Sequence, residues 1–336
     1  MEIGGGAIRL PAAAFLFFGA MASAGPAPVE IPGGSAGVGF DDLRFSVSLG
    51  KVLVPAGRTG SLVLLDPATR AVTAVEGFSA KKEYGGGHDD GVTSADSGRG
   101  WVFATDRTSG LLAIIDPAGR RIVSRSKLGG SPDYVRYVEP SGEVWVTEPD
   151  SERIEIFHLL AGTPPAAVHD GFLSVPGGPE SLAVDERRGR AYTHLWNGKT
   201  VAIDVKARKI AATWNNGCKG SRGIALDENR GFLFAGCAEG TAVVLDVGTG
   251  RMLSSAKSGS GVDIIDHNAK LSHLYLPGAK SATMAVFGVS AAGKLSLLGT
   301  LPTASGAHCV VTDEAGNVFV CDPKKGRLLA FRDTFR

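Results

Sequence analysis

Seven short runs constrain this chain more than any other feature. LVLLD ends at Asp66, LAIID at Asp116, IEIFH at His158, VAID at Asp204, AVVLD at Asp246, MAVFG at Gly288 and LLAFR at Arg332. Successive endings lie 42 to 50 residues apart. Ahead of each stands another run rich in β-branched and aromatic residues: KVLVPA, WVFATD, VWVTEP, AYTHLW, FLFAGC, LYLPGA and VFVCDP. Gly, Asp, Ser and Pro fill the gaps, as tight turns require. Residues 90–127 show one whole copy, with GVTSA, WVFAT, LLAIID and RIVSRSK as four strands joined by three turns.

A period in the forties with four strands per copy is the pattern of a β-propeller. A single blade cannot bury both its faces, but blades stacked radially bury one another. Residues 25–336 are therefore predicted to form a single all-β domain, a seven-bladed β-propeller of four-stranded blades. The last copy stops after its third strand. Segment 28–32, PVEIP, precedes the first copy and is predicted to supply the missing strand and close the ring. The insert at 159–178 is predicted to lengthen the outer edge of the third blade. Gly makes up 47 of 336 residues, about twice the usual share of roughly 7%, which suits a fold with this many turns.

Residues 1–24 have the order of a secretory signal peptide. Arg9 precedes an apolar run at 10–22, and Ala22-Ser23-Ala24 has the small-x-small pattern of a cleavage site. The run is too short to span a bilayer. This predicts a periplasmic or secreted protein. Cys218 and Cys237 flank one predicted hairpin, and Cys309 and Cys321 flank another. Both pairs are candidates for disulfides in an oxidising compartment, the alternative being four buried thiols. Thirty-five basic residues balance 34 acidic ones, so no net field draws nucleic acid or an anionic membrane.

The repeats resemble those of the YncE-like, YVTN-repeat seven-bladed propellers, which are similar in turn to NHL and streptogramin-lyase propellers. The residues that carry the likeness are GEVWVTE at 142–148, GFLFA at 231–235, and AVVLD at 242–246 followed by Gly248-Thr249-Gly250. It spans essentially the whole chain after residue 24. The resemblance implies a binding scaffold as readily as an enzyme. It also allows single-stranded DNA as a ligand, against which the neutral charge and few exposed aromatics weigh. A streptogramin lyase would place acid-x-His before an inner strand. Here Gly306-Ala307-His308 lacks the acid, so the resemblance does not extend to that activity.

In a propeller the loop leading into each innermost strand and the loop between second and third strands share one face, the top. The inward loops carry Asp41-Asp42, His88-Asp89-Asp90, Asp133, Glu180, Arg222, Asp263 and His308. The second-to-third loops carry Arg58, Asp106-Arg107, Glu148, Asp150, His194, Trp196, Glu239, Lys280 and Asp322. This predicts a polar, mainly acidic funnel. Its ligand-binding candidates are His88, Asp90, Asp106, Asp133, Glu148, Glu180, Trp196 and Asp263, with Trp196 the one Trp placed to stack on a ligand. Carboxylates so grouped could hold Ca²⁺ or Mg²⁺. His308 and His194 as bases, with Arg222 as an oxyanion clamp, could open a lactone-like substrate. The competing expectation is that these Asp residues cap loop amides. Partners left open are a small molecule, an envelope polymer or a protein, bound by a monomer. The G-x-S-x-G match at 33–37 has no helix after it, so it is no nucleophile elbow.

Overall fold

The computed structural model describes residues 1–2 and 26–336, so the predicted signal segment lies outside the described residues apart from its first two. Seven antiparallel sheets of four strands each stand in a ring. Six sheets run in simple chain order from the innermost strand outward. The seventh takes Val310–Thr312, Asn317–Asp322 and Arg327–Arg332 from the end of the chain and Ala27–Glu30 from its beginning. The ring-closing strand is thus real, and it pairs Val29 with Leu328 and Glu30 with Arg327. Among the described residues no helix is long and apolar enough to cross a membrane.

Burial explains why these runs are strands. In the second blade Val92–Gly98, Trp101–Asp106 and Leu111–Asp116 are mostly buried on both faces, whereas the outer strand Arg121–Lys127 is exposed or half-buried. Neighbouring blades cover the inner three strands, so alternation of apolar and polar residues survives only on the rim. Each of the seven junctions between blades holds its own apolar cluster. The cluster that closes the ring joins Val29, Ile31, Phe40 and Val54 to Phe319, Cys321 and Leu328.

The recurring aspartates have a local task. Asp66 Oδ1 accepts hydrogen bonds from the amides of Ala68 (3.0 Å) and Thr69 (2.8 Å). Asp116 accepts from Ala118 and Gly119, Asp204 from Ala207, and Asp246 from Thr249. Each caps the turn from third to fourth strand. Four residues on, the backbone turns left-handed, at Arg70, Arg120, Arg208 and Gly250 with φ of 62°, 54°, 48° and 71°. Gly250 alone of these is glycine, and a Cβ there would lie 2.1 Å from the Trp214 ring.

The insert at 159–178 is largely ordered. Arg153–Leu160 and Ala166–Ser174 form the longest third-to-fourth hairpin of the ring by paired residues, extending the rim of the third blade. Arg58, on the top loop of the first blade, points inward and donates to the carbonyls of Gly33, Gly37, Lys81 and Lys82. It ties the N-terminal segment to the first blade and takes no part in the funnel. A buried bidentate pair joins two inward-facing positions, Arg136 Nη1 and Nη2 donating to Asp42 at 2.6 and 3.0 Å. Asp42 comes from the first blade and Arg136 from the third, so the pair ties two blades that are not neighbours.

Candidate functional site

The funnel is built one residue per blade. Asp41, His88, Asp133, Glu180, Arg222, Asp263 and His308 lie on the seven inward loops or at the start of the strand that follows. Ion pairs and hydrogen bonds join several of them at the mouth of the channel. His88 Nδ1 lies 3.1 Å from Asp41 Oδ2, and its Nε2 lies 3.7 Å from Asp263 Oδ2. The His88 and His308 rings are 5.4 Å apart between centroids. Arg222 donates to Glu180 at 2.5 Å. Its guanidinium also sits 5.2 Å from the ring centroid of Trp196, a residue 48% exposed.

Arg107 belongs to the site although it was no ligand candidate in the sequence. From the second-to-third loop of the second blade it reaches Asp133 at 2.5 Å, Asp89 at 2.7 Å and Asp41 at 3.6 Å. Its Nε donates to the carbonyl of Pro132. One guanidinium thus holds three carboxylates of the funnel wall. A cavity of about 610 Å³ opens between these groups. His88, Arg107, Asp133, Glu180, Trp196 and Arg222 line it, with Pro132 and Pro149 as its other apolar surfaces.

Three predicted residues sit elsewhere, and Asp90 only at the edge. His194 is fully buried, with Nδ1 on Thr200 Oγ1 (2.9 Å) and Nε2 on the Phe234 carbonyl (3.2 Å). It packs between the fourth and fifth blades, out of reach of any substrate in the funnel. Asp106 accepts from the amides of Ser79 and Ser109, fastening the first blade to the second. Glu148 is fully buried and accepts from the Gly130 amide and Arg153 Nε. Asp90 pairs with Lys81 at 3.0 Å on the rim. The capping role expected of aspartates therefore holds for Asp106, and Glu148 fills a like role as a buried carboxylate.

The electrostatics of the mouth follow from its crowding. The Asp41 charge beside His88, against the cost of burial, raises the imidazole to about 9. Burial would lift Asp41, but His88, Arg107 and His308 together hold it below the usual carboxylate range. Burial first, then Asp41 and Glu180, push Asp133 well up despite Arg107. Burial likewise raises Glu180 to about 7 against the pull of Arg222. The funnel therefore mixes cations and anions, as a polar funnel carrying His and Arg beside its carboxylates should.

Behind His308 lies a second group. Cys218 and Cys237 form the predicted disulfide, with Cα atoms 5.2 Å apart. Cys309 and Cys321 do not, and both are buried free thiols. They face each other on neighbouring strands, where Cys321 Sγ accepts from the amides of His308 (3.3 Å) and Cys309 (3.1 Å). Burial would raise the Cys321 thiol, but Cys309 and His308 pull it well below its usual range. His308 itself contacts two carbonyls, Gly306 through Nδ1 (2.7 Å) and Phe40 through Nε2 (2.8 Å).

No protein-family profile matches the chain, and no curated protein matches it in sequence. Solved structures do match in shape. A chain of a mitotic checkpoint complex superposes with a TM-score of 0.74 at 12% identity, covering 99% of each chain. Kuenenia stuttgartiensis hydrazine synthase gives 0.69 at 9% identity, over 96% of this chain and 100% of that one. The β-propeller domain of Myceliophteria thermophila Cps50 (Swd1) gives 0.69 at 12% identity, over 89% and 98%. The likeness is one of fold alone. It establishes the seven-bladed propeller and no narrower family.

Proposed function

We propose that this propeller is an exported, YncE-like binding protein that takes a small polar ligand, or the end of an envelope polymer, in its top funnel. The observation that carries this is the half-exposed Trp196 ring beside Arg222, on the wall of a cavity of about 610 Å³ that His88, Arg107, Asp133 and Glu180 also line. An aromatic platform among convergent charged groups suits a ligand with one apolar face and several polar edges, such as a saccharide or short peptide. Support for export comes from the pattern of residues 1–24 and from the Cys218–Cys237 disulfide, a bond that persists in oxidising compartments.

Binding is better supported than lactone hydrolysis. A hydrolytic base needs a free ring nitrogen facing the substrate. His194 is enclosed in the core, and both nitrogens of His308 are occupied by backbone carbonyls. The test is thermal shift and tryptophan fluorescence with saccharides, glycan fragments and short peptides. A true ligand raises Tm and changes fluorescence in the natural protein and loses at least tenfold in affinity on Trp196→Ala. Ligands that stabilise the natural and Trp196→Ala proteins equally would place binding outside the funnel.

A further inference from the structure

We propose that His88, Asp263 and His308 form a binding site for a borderline divalent metal ion of the Zn²⁺ class at the mouth of the channel. The three come from the second, sixth and seventh blades. One ligating atom from each lies within 4.8 Å of the others. Zinc bonds of about 2 Å put tetrahedral ligand atoms roughly 3.3 Å apart, so the three atoms need to draw together by roughly 1.5 Å at most.

The surroundings are those of a ligand set. His88 Nδ1 is fixed by Asp41, which leaves Nε2 directed at Asp263. A carboxylate behind a metal-bound imidazole is the usual outer-shell arrangement. His308 has the other common form, with Nδ1 on the Gly306 carbonyl. Metal binding would exchange its Nε2 contact with the Phe40 carbonyl for a bond to the ion. Among the described carboxylates of the inward loops, Asp263 is the uncommitted one. Asp41, Asp133 and Glu180 each hold a His or Arg within 3.1 Å, whereas Asp263 makes no hydrogen bond among the described residues and only the looser His88 contact.

Donor chemistry sets the class of ion. Two imidazoles and one carboxylate favour zinc and its transition-metal neighbours over Ca²⁺ or Mg²⁺, which take all-oxygen shells. Three protein ligands leave a position open, and His88 also lines the large cavity. An ion here would present that position to whatever occupies the funnel. The inference shares the funnel with the binding proposal but needs no organic ligand. A failed metal titration leaves ligand binding at Trp196 standing, and the reverse holds too.

The experiment is calorimetric titration of chelator-treated full chain with Zn²⁺ at neutral pH. One ion per chain is expected, with affinity reduced at least 100-fold by Asp263→Asn and by His88→Asn. Asp41→Asn should weaken it about 10- to 100-fold. If His88→Asn fails to fold, as judged by metal-free melting, Asp263→Asn on the half-buried side chain carries the test. The Co²⁺ form should show visible bands without intense sulfur charge-transfer absorption. Absence of saturable 1:1 binding, affinity unchanged in Asp263→Asn, or strong sulfur bands placing the ion on Cys309 and Cys321 would each overturn the site.

Discussion

Burial without a charged neighbour leaves His194 a weak base, lowered to about 4. The unfolded chain would titrate near 6.5, so between these values the unfolded state binds the extra proton. Stability from this residue is fully present above about pH 6.5 and is lost as pH falls toward 4, by about 3 kcal/mol in all. His267 is lowered to about 4 as well, so it titrates in the same sense. Urea unfolding across pH 4 to 8 should show stability falling on the acid side. His194→Gln should flatten that fall while lowering the neutral-pH value. A pH profile unchanged by His194→Gln would contradict this account of the buried ring. His308 illustrates the opposite case, because the Cys321 and Asp263 charges outweigh burial and raise it.

Strand ends decide which top-face residues reach the funnel. Asp106, Glu148 and His194 stand at or next to the last position of second strands ending at Asp106, Glu148 and Leu195. Their side chains turn into the sheet stack. Arg107 and Trp196, one or two residues on, leave the ladder and face the cavity. Side-chain direction reverses with each residue of a strand, so an error of one position moves a residue from loop to core. The period of seven runs made the ring and its closing strand legible, because a repeat is read over hundreds of residues. The inward loops were legible for the same reason, and all seven supply the mouth. The strand-end positions were not, since inner strands buried on both faces carry no alternation to fix the last exposed residue. At this scale the cysteines also separate. Native protein under non-reducing conditions should show slow thiol labelling, and denatured protein two reactive thiols per chain from Cys309 and Cys321. A count of zero would mean a second disulfide. Reducing Cys218–Cys237, 19 residues apart, should lower stability by about 3 kcal/mol.

The whole ring depends on a junction that joins the two ends of the chain. Val29 is 4% exposed and packs in the cluster with Leu328 and Cys321. Gly34 and Gly326 lie so close that a Cβ on Gly34 would stand 2.2 Å from the Gly326 carbonyl oxygen. Val29→Asp buries a charge with no partner, and a loss of about 3 kcal/mol or more is expected, read as a lowered midpoint of chemical unfolding. If Val29→Asp unfolds at the natural midpoint, the N-terminal strand contributes little to closure.

That junction also sets an order of events during synthesis. The strand Ala27–Glu30 precedes its partner Arg327–Arg332 by six whole blades. Six blades can take shape while the chain grows, each against the one before it. The seventh cannot, and until it is finished the early strand has an open edge and an unburied Val29. Until the two partners meet, the stack of blades stays open with an unpaired strand edge on either side, and pairing of Ala27–Glu30 with Arg327–Arg332 turns it into a ring.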